Sequence, residues 1–423
     1  MGPRTRPTGR GDARAPTSEE VRGRLARCGA LLWPLLTAIS SRAESTGTMQ
    51  AVVYQRALRP LLFLLPPDTA HELAFTALGA VEHLAWVRAC LRLLAGTTPA
   101  SRRGAPTGRI GARVMGLDFP SIVGLAGGFD KNARRPRSLA ALGFGHLELG
   151  TVTAQAQAAN PRPNLFRLPA DRALVNRLGF PNEGAARLAE RLGEVRRSPT
   201  APEGVPIGVS IGKSRVVPVD DLAAVVDDYL AAFDAVHAVA DFVVVNVSSP
   251  NTAGLRTMQA REHAHALLSA LRAKAGASER LLVKIAPDLT DAQLEDVLSV
   301  VDEVGLDGVV ATNTTIARGG LATPATEVDA IGAGGLSGPP LRQRAVDVVR
   351  RVRARLGRRV AVVGVGGIEE AEHALALVTA GADLVQMYTG FVYGGPLSAA
   401  RIGRDLARLV ERSGAASIGD LVG

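Results

Sequence analysis

The chain has 423 residues, of which 47% are hydrophobic and only 4% aromatic, so it has enough apolar material for one large core packed mainly by Leu, Val and Ala. Its 49 basic residues give a net charge of +9, but arginine, alanine and glycine are raised throughout and aromatic stacking residues are scarce, so we do not expect nucleic acid as a partner. The two cysteines, Cys28 and Cys90, form neither a disulfide framework nor a metal-binding motif.

Residues 1–48 differ in composition from the rest of the chain. The first sixteen residues, MGPRTRPTGRGDARAP, are predicted to be disordered. The apolar run CGALLWPLLTAI that follows contains a proline and is too short to cross a bilayer. With its preceding arginines it resembles a weak signal or transit segment. Alternatively, translation begins at Met49 and these residues are an over-extended reading frame, which is the interpretation we favour.

Residues 49–98 are predicted to form a small helical extension ahead of the main domain, which we place at 99–423. Two helices are expected on either side of the Pro-Pro pair, in VVYQRALRPLLFLLPP and in DTAHELAFTALGAVEHLAWVRACLRLLAG. Asp68 is the predicted N-cap of the second helix, and Gly96 its predicted end.

The apolar surface of this helix pair is too wide to remain uncovered. It either packs against the main domain or forms a foot that lies in the plane of a membrane, and neither helix is long enough to span one. In the membrane interpretation, four arginines meet the lipid headgroups, namely Arg56, Arg59, Arg88 and Arg92.

Eight short apolar runs, each followed by helix-forming sequence, occupy most of residues 110–420. The runs are SIVGLAGG, GHLELGTVT, VPIGVSIGK, DFVVVNVSS, LLVKIAPD, DGVVATNTT, VAVVGVGGI and DLVQMYTGF. Near-continuous runs of this kind indicate parallel strands that are buried on both faces. Eight such units predict an α/β fold, a closed (β/α)8 TIM barrel. An open doubly wound sheet is the alternative, but no GxGxxG motif opens a helix after an early strand.

Polar residues or glycines directly follow nearly all of the eight runs. They are Asp130, Lys131, Thr151, Thr153, Lys213, Asn246, Ser249, Asn251, Lys284, Thr312, Asn313, Thr314, Gly366, Gly367, Tyr388 and Thr389. Because the carboxyl ends of barrel strands open at one mouth, we expect these residues to converge there. Three of the four lysines in the chain are in this set, and so are several asparagines.

The residues expected at this mouth indicate which kind of ligand it binds. The amides and hydroxyls suit a planar heterocycle that forms several hydrogen bonds. The segments GVGGI (364–368) and MYTG (387–390) leave backbone N–H groups free where barrels usually hold a phosphate. No histidine, cysteine or carboxylate cluster lies at the mouth, so we expect no catalytic metal.

Eight motifs in this order resemble those of the dihydroorotate dehydrogenases. They are GLAGGFDKNA, LELGTVTAQ, NRLGFPNEG, NVSSPNTAGLR, VKIAPDL, ATNTT, GGLSGPPL and GVGGI, and the resemblance covers about residues 50–410. It implies FMN-dependent oxidation of dihydroorotate to orotate in pyrimidine biosynthesis. Class 2 members of that family have a serine base and an N-terminal helical pair that admits a quinone, whereas class 1 members have a cysteine base and lack the pair. With Ser249 and residues 50–95, this chain is similar to class 2.

The resemblance also implies which residues bind the flavin and the substrate. The expected flavin-binding residues are Gly127, Gly128, Phe129, Asp130, Lys131, Thr151, Ser210, Asn246, Lys284, Thr312, Gly338, Gly366, Gly367, Tyr388 and Thr389. The expected substrate-binding residues are Lys131, Asn176, Arg177, Leu178, Gly179, Phe180, Asn246, Asn251, Asn313 and Thr314. Ser210 departs from the commoner family pattern, in which an asparagine often meets the flavin.

The implied mechanism removes a proton and a hydride from adjacent carbons of dihydroorotate, and the hydride goes to flavin N5. Ser249 is the expected base, and because an alcohol is a weak base it needs a relay, for which Thr252 is our candidate. Lys131 and the asparagines are expected to stabilise charge on the pyrimidine carbonyls. Pro250 and Gly254 suggest that residues 249–256 also act as a lid.

The partners expected from the resemblance are dihydroorotate or orotate and a membrane quinone. We expect a monomer bound peripherally to the cytoplasmic side of a bacterial inner membrane. Three rival functions stay open at this point: another FMN barrel that reduces dihydropyrimidines or uses NAD, an aldolase or isomerase with a Schiff base at Lys284, and a barrel-derived binding protein without catalysis.

Overall fold

The computed structural model describes residues 54–97, 108–202 and 204–423. The predictions for residues 1–48, including the choice of Met49 as the start, lie outside these ranges. The described chain contains a helical extension, an eight-stranded closed barrel and two small accessory sheets.

The helical extension has more pieces than the sequence predicts. A π-helical turn, Tyr54–Leu58, leads into α1 (Arg59–Leu64), which is followed by α2 (Pro67–His83) and α3 (Ala85–Ala95). The predicted break at the two prolines is confirmed, and Gly96 ends α3 in the left-handed conformation, as predicted. The N-cap prediction for Asp68 is wrong, because Pro66 holds that position and Asp68 lies in the first turn.

The predicted second helix is interrupted at Leu84, which adopts an extended conformation. The contacts of Glu82 account for the interruption. Its carboxylate is buried and accepts hydrogen bonds from the N–H and the hydroxyl of Ser138, both at 2.8 Å, at the start of the next helix of the chain. The Arg88 guanidinium donates to the carbonyls of Val81 and Glu82 at this break, and the carbonyl of Val81 also accepts from the N–H of Leu84. Arg88 is therefore buried, and the prediction that it meets lipid headgroups is wrong.

After this extension, strands and helices alternate along the chain. The elements are β1 (Ala112–Val114), β2 (Leu117–Phe119), β3 (Val123–Leu125), α4 (Pro136–Ala141), β4 (Leu147–Val152), β5 (Leu165–Leu168), β6 (Ala173–Asn176), α5 (Ala185–Arg197), β7 (Ile207–Ile211), α6 (Leu222–Val236), β8 (Phe242–Asn246), α7 (Arg261–Ala275), β9 (Leu281–Ile285), α8 (Asp291–Val304), β10 (Gly308–Ala311), α9 (Ala325–Ile331), β11 (Gly335–Ser337), α10 (Arg342–Leu356), β12 (Ala361–Val365), α11 (Ala371–Thr379), β13 (Leu384–Met387), α12 (Thr389–Gly394) and α13 (Ser398–Arg412).

The barrel strands are β3, β4, β7, β8, β9, β10, β12 and β13, each parallel to its two neighbours and in the order of the chain. All eight correspond to predicted apolar runs, and nearly all of their residues are buried. The last strand pairs with the first through three residue pairs, Val385 with Val123, Gln386 with Gly124 and Met387 with Leu125. This pairing closes the sheet and rules out the open doubly wound alternative. The (β/α)8 prediction is confirmed.

Two antiparallel additions flank the barrel. β1 and β2 form a hairpin before the first barrel strand, and β5, β6 and β11 form a three-stranded sheet. Within this sheet Asn176 pairs with Gly335, so an asparagine from outside the barrel is held near the loops that follow the barrel strands. The N–H of Ile418 donates to the carbonyl of Arg109 at 2.7 Å, so the beginning and the end of the barrel region lie side by side.

Candidate active site

A cavity with about 1080 Å³ of empty space, part of it open to solvent, lies at the carboxyl ends of the barrel strands. Most of the predicted site residues line it. They are Gly127, Gly128, Lys131, Thr151, Asn176, Leu178, Gly179, Phe180, Asn246, Ser249, Asn251, Lys284, Thr312, Asn313, Thr314, Gly338, Gly366, Gly367, Tyr388 and Thr389. The convergence follows from topology, since parallel strands in a barrel deliver the residues after them to one end.

Seven predicted residues do not line the cavity, and three of these, Phe129, Asp130 and Ser210, lie directly behind its wall; the other four are Thr153, Arg177, Lys213 and Thr252. Thr153 is buried and its hydroxyl donates to the carbonyl of Gln155. Asp130 is buried and caps a turn, accepting hydrogen bonds from the N–H groups of Arg134 and Arg135 at 2.9 and 2.7 Å. Phe129 packs edge-on against Tyr388, which lines the cavity, with 5.8 Å between ring centroids. Ser210 is buried behind Thr151, and the two hydroxyls are hydrogen-bonded at 2.9 Å.

Arg177 is turned away from the cavity. Its guanidinium donates to the carbonyls of Pro163 and Ile331 and stacks on the ring of Phe166, with 4.7 Å from the guanidinium carbon to the ring centroid. The side chain therefore ties the β5–β6 hairpin to the end of α9. Only its neighbours Asn176 and Leu178 reach the cavity.

Lys213 also does not line the cavity. Its ammonium donates to the carbonyls of Ser214, at 3.0 Å, and Val217. The lysine is buried and holds the loop after β7 by backbone contacts. The prediction that three lysines enter the cavity is therefore wrong for this one.

Amides and hydroxyls on one side of the cavity form a continuous network. The amide nitrogen of Asn246 donates to Thr151 Oγ1 at 2.9 Å, and its oxygen accepts from Ser248 Oγ at 3.0 Å. The amide nitrogen of Asn313 donates to Ser248 Oγ at 2.9 Å. Since each of these amides is oriented by its neighbours, the groups that face the cavity have fixed donor and acceptor directions. The sequence analysis did not place Ser248 in the site. Its position beside Ser249, at the end of a buried strand, could have indicated that role.

Lys284 is held by a buried carboxylate that the sequence analysis missed. Its ammonium contacts Glu148 Oε1 at 3.1 Å, and both side chains are almost fully buried. The second oxygen of Glu148 has no hydrogen-bond partner among the described residues. The sequence could have indicated this buried ion pair, because an acidic residue inside the apolar strand LELGTV requires a partner.

Lys131 lies in the cavity wall beside the loop after β3. Its ammonium donates to the carbonyl of Gly128 at 2.6 Å. Burial lowers its pKa to about 8, while Asp130 and Asp68 oppose the shift. A charge carried by this lysine is thus only partly compensated by its surroundings, and it remains able to attract an anionic ligand.

Ser249 is buried beside two asparagines. Its Oγ accepts a hydrogen bond from the N–H of Asn251 at 3.2 Å, and the amide of Asn251 donates to Asn176 Oδ1 at 2.9 Å. Thr252 does not line the cavity, and its buried hydroxyl forms no hydrogen bond with any residue that the structure describes. The two hydroxyls are therefore not joined directly, and the relay through Thr252 stays a prediction.

Comparison with known proteins connects this site to one family. The family model for dihydroorotate dehydrogenase matches residues 109–410. A protein named dihydroorotate dehydrogenase (quinone) from Thermobifida fusca is 49% identical over 378 residues, which are 88% of this chain and 96% of the relative. The chain belongs to the dihydroorotate dehydrogenase family. Membership sets aside the aldolase or isomerase and the non-catalytic alternatives.

Further relatives agree with this assignment. A dihydroorotate dehydrogenase (quinone) from Mycobacterium tuberculosis is 49% identical over 366 residues, covering 86% of this chain and 97% of the relative. The crystal structure of DHODH from Eimeria tenella in complex with ferulenol matches with a TM-score of 0.71 at 33% identity, over 80% of this chain and 95% of that one. Proteins of this family depend in general on a flavin.

Proposed function

We propose that this member of the family oxidises dihydroorotate to orotate, with a quinone as electron acceptor and FMN as cofactor, as a step of pyrimidine biosynthesis. The observation that carries the proposal is the meeting of Ser249, Lys131 and four asparagines in one cavity at the carboxyl ends of the barrel strands. The names of the relatives at 49% identity support quinone as the acceptor.

The cavity has the features that FMN requires. The side-chain amide of Gln386 lies in the wall, buried, and neither its oxygen nor its nitrogen has a partner among the described residues. Gly366 and Gly367 directly follow Val365, which pairs with Gln386, so they bring bare backbone to the same part of the wall. A Cβ on Gly366 would meet Ala345 at 2.7 Å, and a Cβ on Gly367 would meet Arg342 at 2.6 Å. A multiply hydrogen-bonding ring with a phosphate suits a wall made of unpartnered amide atoms and bare backbone.

FMN, when bound, would supply the acceptor for the hydride. The buried ammonium of Lys284 would favour negative charge on the ring nearby, although its contact with Glu148 moderates that effect.

Ser249 is our proposed base for the proton of dihydroorotate. Since its Oγ already accepts from the N–H of Asn251, that contact orients the oxygen towards the cavity and would stabilise an oxygen that has lost its proton. Lys131 would bind the substrate carboxylate. The amides of Asn176, Asn251 and Asn313, held by the contacts described above, would pair with the edges of the pyrimidine ring.

The acceptor would approach from the helical extension. His71 on α2 meets the ring of Phe129 edge-on at 5.2 Å, and Phe129 contacts Tyr388 in the cavity wall. Burial, together with the charge of Lys131, lowers the pKa of His71 to about 4, so this imidazole is neutral at pH 7. A series of ring contacts therefore links the extension with the cavity wall, and we propose that a quinone, an apolar acceptor, binds beside it.

The outer surface of the extension supports peripheral membrane association. Most of the large hydrophobic side chains exposed in the described chain belong to it, namely Leu58, Leu61, Leu64, Leu73, Leu84, Trp86 and Leu93. Within the described residues, no helix has both the length and the apolarity needed to cross a bilayer. We propose binding in the plane of the cytoplasmic face of a bacterial inner membrane, by a monomer.

Anaerobic addition of dihydroorotate to the purified yellow protein tests the dehydrogenase half-reaction. The flavin absorbance should bleach, and Ser249→Ala should keep FMN but slow bleaching by several orders of magnitude. Ser248→Ala is the comparison variant, because it removes a neighbouring hydroxyl that orients Asn246 and Asn313; it should slow bleaching, but by a far smaller factor than the loss of the base. Equal effects of the two substitutions would remove Ser249 from the role of base.

Deletion of residues 1–95 tests the acceptor half-reaction separately. Turnover with a quinone should fall much more than bleaching by dihydroorotate. Equal losses in the two assays would contradict the assignment of the extension to the quinone.

A further inference from the structure

Arg256 connects three loops at the mouth of the barrel without entering the cavity. Its Nε donates to the carbonyl of Ser248 at 3.1 Å, and its Nη2 donates to the carbonyl of Thr314 at 3.0 Å. Its Nη1 contacts Asp288 Oδ2 at 2.8 Å. Each contact lies on a different loop, following β8, β10 and β9 respectively.

Asp288 extends this cluster on the side of β10. Its carboxylate also accepts hydrogen bonds from the hydroxyl of Thr315 and from the N–H of Ile316, the latter at 3.1 Å. The side chains of Arg256 and Asp288 are only 23% and 19% exposed, so solvent screens this ion pair less than a surface pair. The cluster therefore ties the loops after β8, β9 and β10 to one another.

The contact of Arg256 with Ser248 lies directly beside Ser249, the proposed base. The Ser248 carbonyl belongs to the peptide bond that precedes Ser249, so the guanidinium fixes the orientation of that peptide plane. The Oγ of Ser249 has a single hydrogen-bond partner in the described chain, the N–H of Asn251. Its direction is consequently determined by the backbone on either side of it.

The far end of the same loop is anchored independently. Leu255 and Met258 are fully buried, and Gln259 Oε1 accepts from the N–H of Ala286 at 2.9 Å. Arg256 thus closes a ring, from the anchored end of the loop back to the peptide at its start. Between these points only residues 250–254 are left partly or fully exposed.

We propose that Arg256 is a positioning residue that holds Ser249 in its reactive orientation and keeps residues 249–254 closed over the bound substrate. The proposal rests on the assignment of Ser249 under the proposed function. Three donors of one planar guanidinium satisfy three acceptors in different directions, which the single ammonium of a lysine does not reproduce.

Two substitutions and one matched control test this role in the full-length FMN-loaded protein. Arg256→Ala removes all three contacts, and Arg256→Lys keeps the charge but loses the fork. Arg344→Ala is the control, because this arginine on α10 donates to the carbonyls of Pro287 and Leu289, on both sides of Asp288, but does not touch the loop after β8. The measurements are amide hydrogen exchange across residues 249–255 and the rate of flavin bleaching at saturating dihydroorotate.

We expect Arg256→Ala to raise amide exchange across residues 249–255 by about 10-fold or more, because the contacts that hold this segment closed are lost. Bleaching should slow by a similar factor or more while the flavin spectrum is retained, and millimolar guanidinium ion should restore part of the rate. Arg256→Lys should be intermediate, and Arg344→Ala should resemble the wild type in both measurements.

Unchanged exchange in Arg256→Ala, or an equal increase in Arg344→Ala, would overturn the proposal. If Arg256→Ala does not fold, Arg256→Lys decides the matter, and wild-type exchange and bleaching in that variant would likewise overturn it. The exchange measurement needs no dihydroorotate. A wild-type protein that fails to bleach would therefore contradict the proposed function, while the exchange comparison would still decide whether Arg256 positions the loop.

Discussion

His146 allows a quantitative prediction of how burial in the barrel makes the free energy of unfolding depend on pH. The imidazole is fully buried at the start of β4, and neither ring nitrogen has a hydrogen-bond partner in the described chain. It packs edge-on against Phe119, with 5.4 Å between ring centroids, and fills the space that Gly124 leaves. Burial lowers its pKa to about 3. The folded protein therefore keeps this side chain neutral at any pH in ordinary use.

The consequence for stability follows from proton linkage. In the unfolded chain His146 has a pKa of about 6.5, so between pH 6.5 and pH 3 only the unfolded state takes up this proton. The contribution of the neutral, buried imidazole to the free energy of unfolding is fully present above pH 6.5 and is lost as the pH falls. At 1.36 kcal/mol per pH unit, acidification from pH 7 to pH 5 should lower the free energy of unfolding by about 2 kcal/mol through this residue alone.

Urea unfolding of the wild type and of His146→Phe at pH 7 and pH 5, at one fixed FMN concentration, measures this contribution. Other groups titrate equally in both proteins, so the difference between the two pH responses isolates His146. At pH 7 the variant should equal or exceed the wild type in stability, because it removes two unpartnered polar atoms. Parallel pH dependences for the two proteins would refute the reasoning, and so would a smaller loss in the wild type than in the variant.

Three further outcomes are expected from other parts of the molecule. If the Lys131 ammonium binds the substrate carboxylate, kcat/KM should fall as pH rises through about 8, the pKa to which burial lowers this group, and a value still rising at pH 9.5 would contradict the role. Gly254→Ala should slow flavin bleaching by about 10-fold, because φ is +66° there and the new Cβ would meet Val219 at 2.6 Å; an unchanged rate would show that this loop conformation is not required. Glu82→Gln should weaken the docking of the helical extension and lower quinone turnover more than bleaching, whereas Glu72→Gln, which breaks only a solvent-exposed ion pair with Arg162, should change both assays far less.

The barrel was predictable because its signal is local. Each of the eight strands is a continuous apolar run, and parallel strands buried on both faces need no more information than that. The position of the site followed from the same pattern, since residues after the runs must meet at one end. Ser249, Lys131 and Lys284 could therefore be placed in a common cavity before their contacts were known.

What could not be predicted depends on contacts between distant segments. The helix break at Leu84 arises because Glu82 binds Ser138, more than fifty residues further along the chain. The outward direction of Arg177 is determined by the carbonyls of Pro163 and Ile331, although the motif that surrounds Arg177 lines the cavity. In the same way, nothing in the local sequence around Arg256 identifies Asp288 as its partner.

The pairing of β13 with β3 has a consequence for how this protein folds during its synthesis. Each of the other pairs joins barrel strands that are consecutive along the chain, but this seam joins the first barrel strand to the last. Until the ribosome has produced β13, the growing sheet exposes two unpaired edges of apolar strands, which are able to pair with other chains. The late stage of translation, rather than the finished enzyme, is therefore where this chain is most exposed to aggregation and most in need of a chaperone.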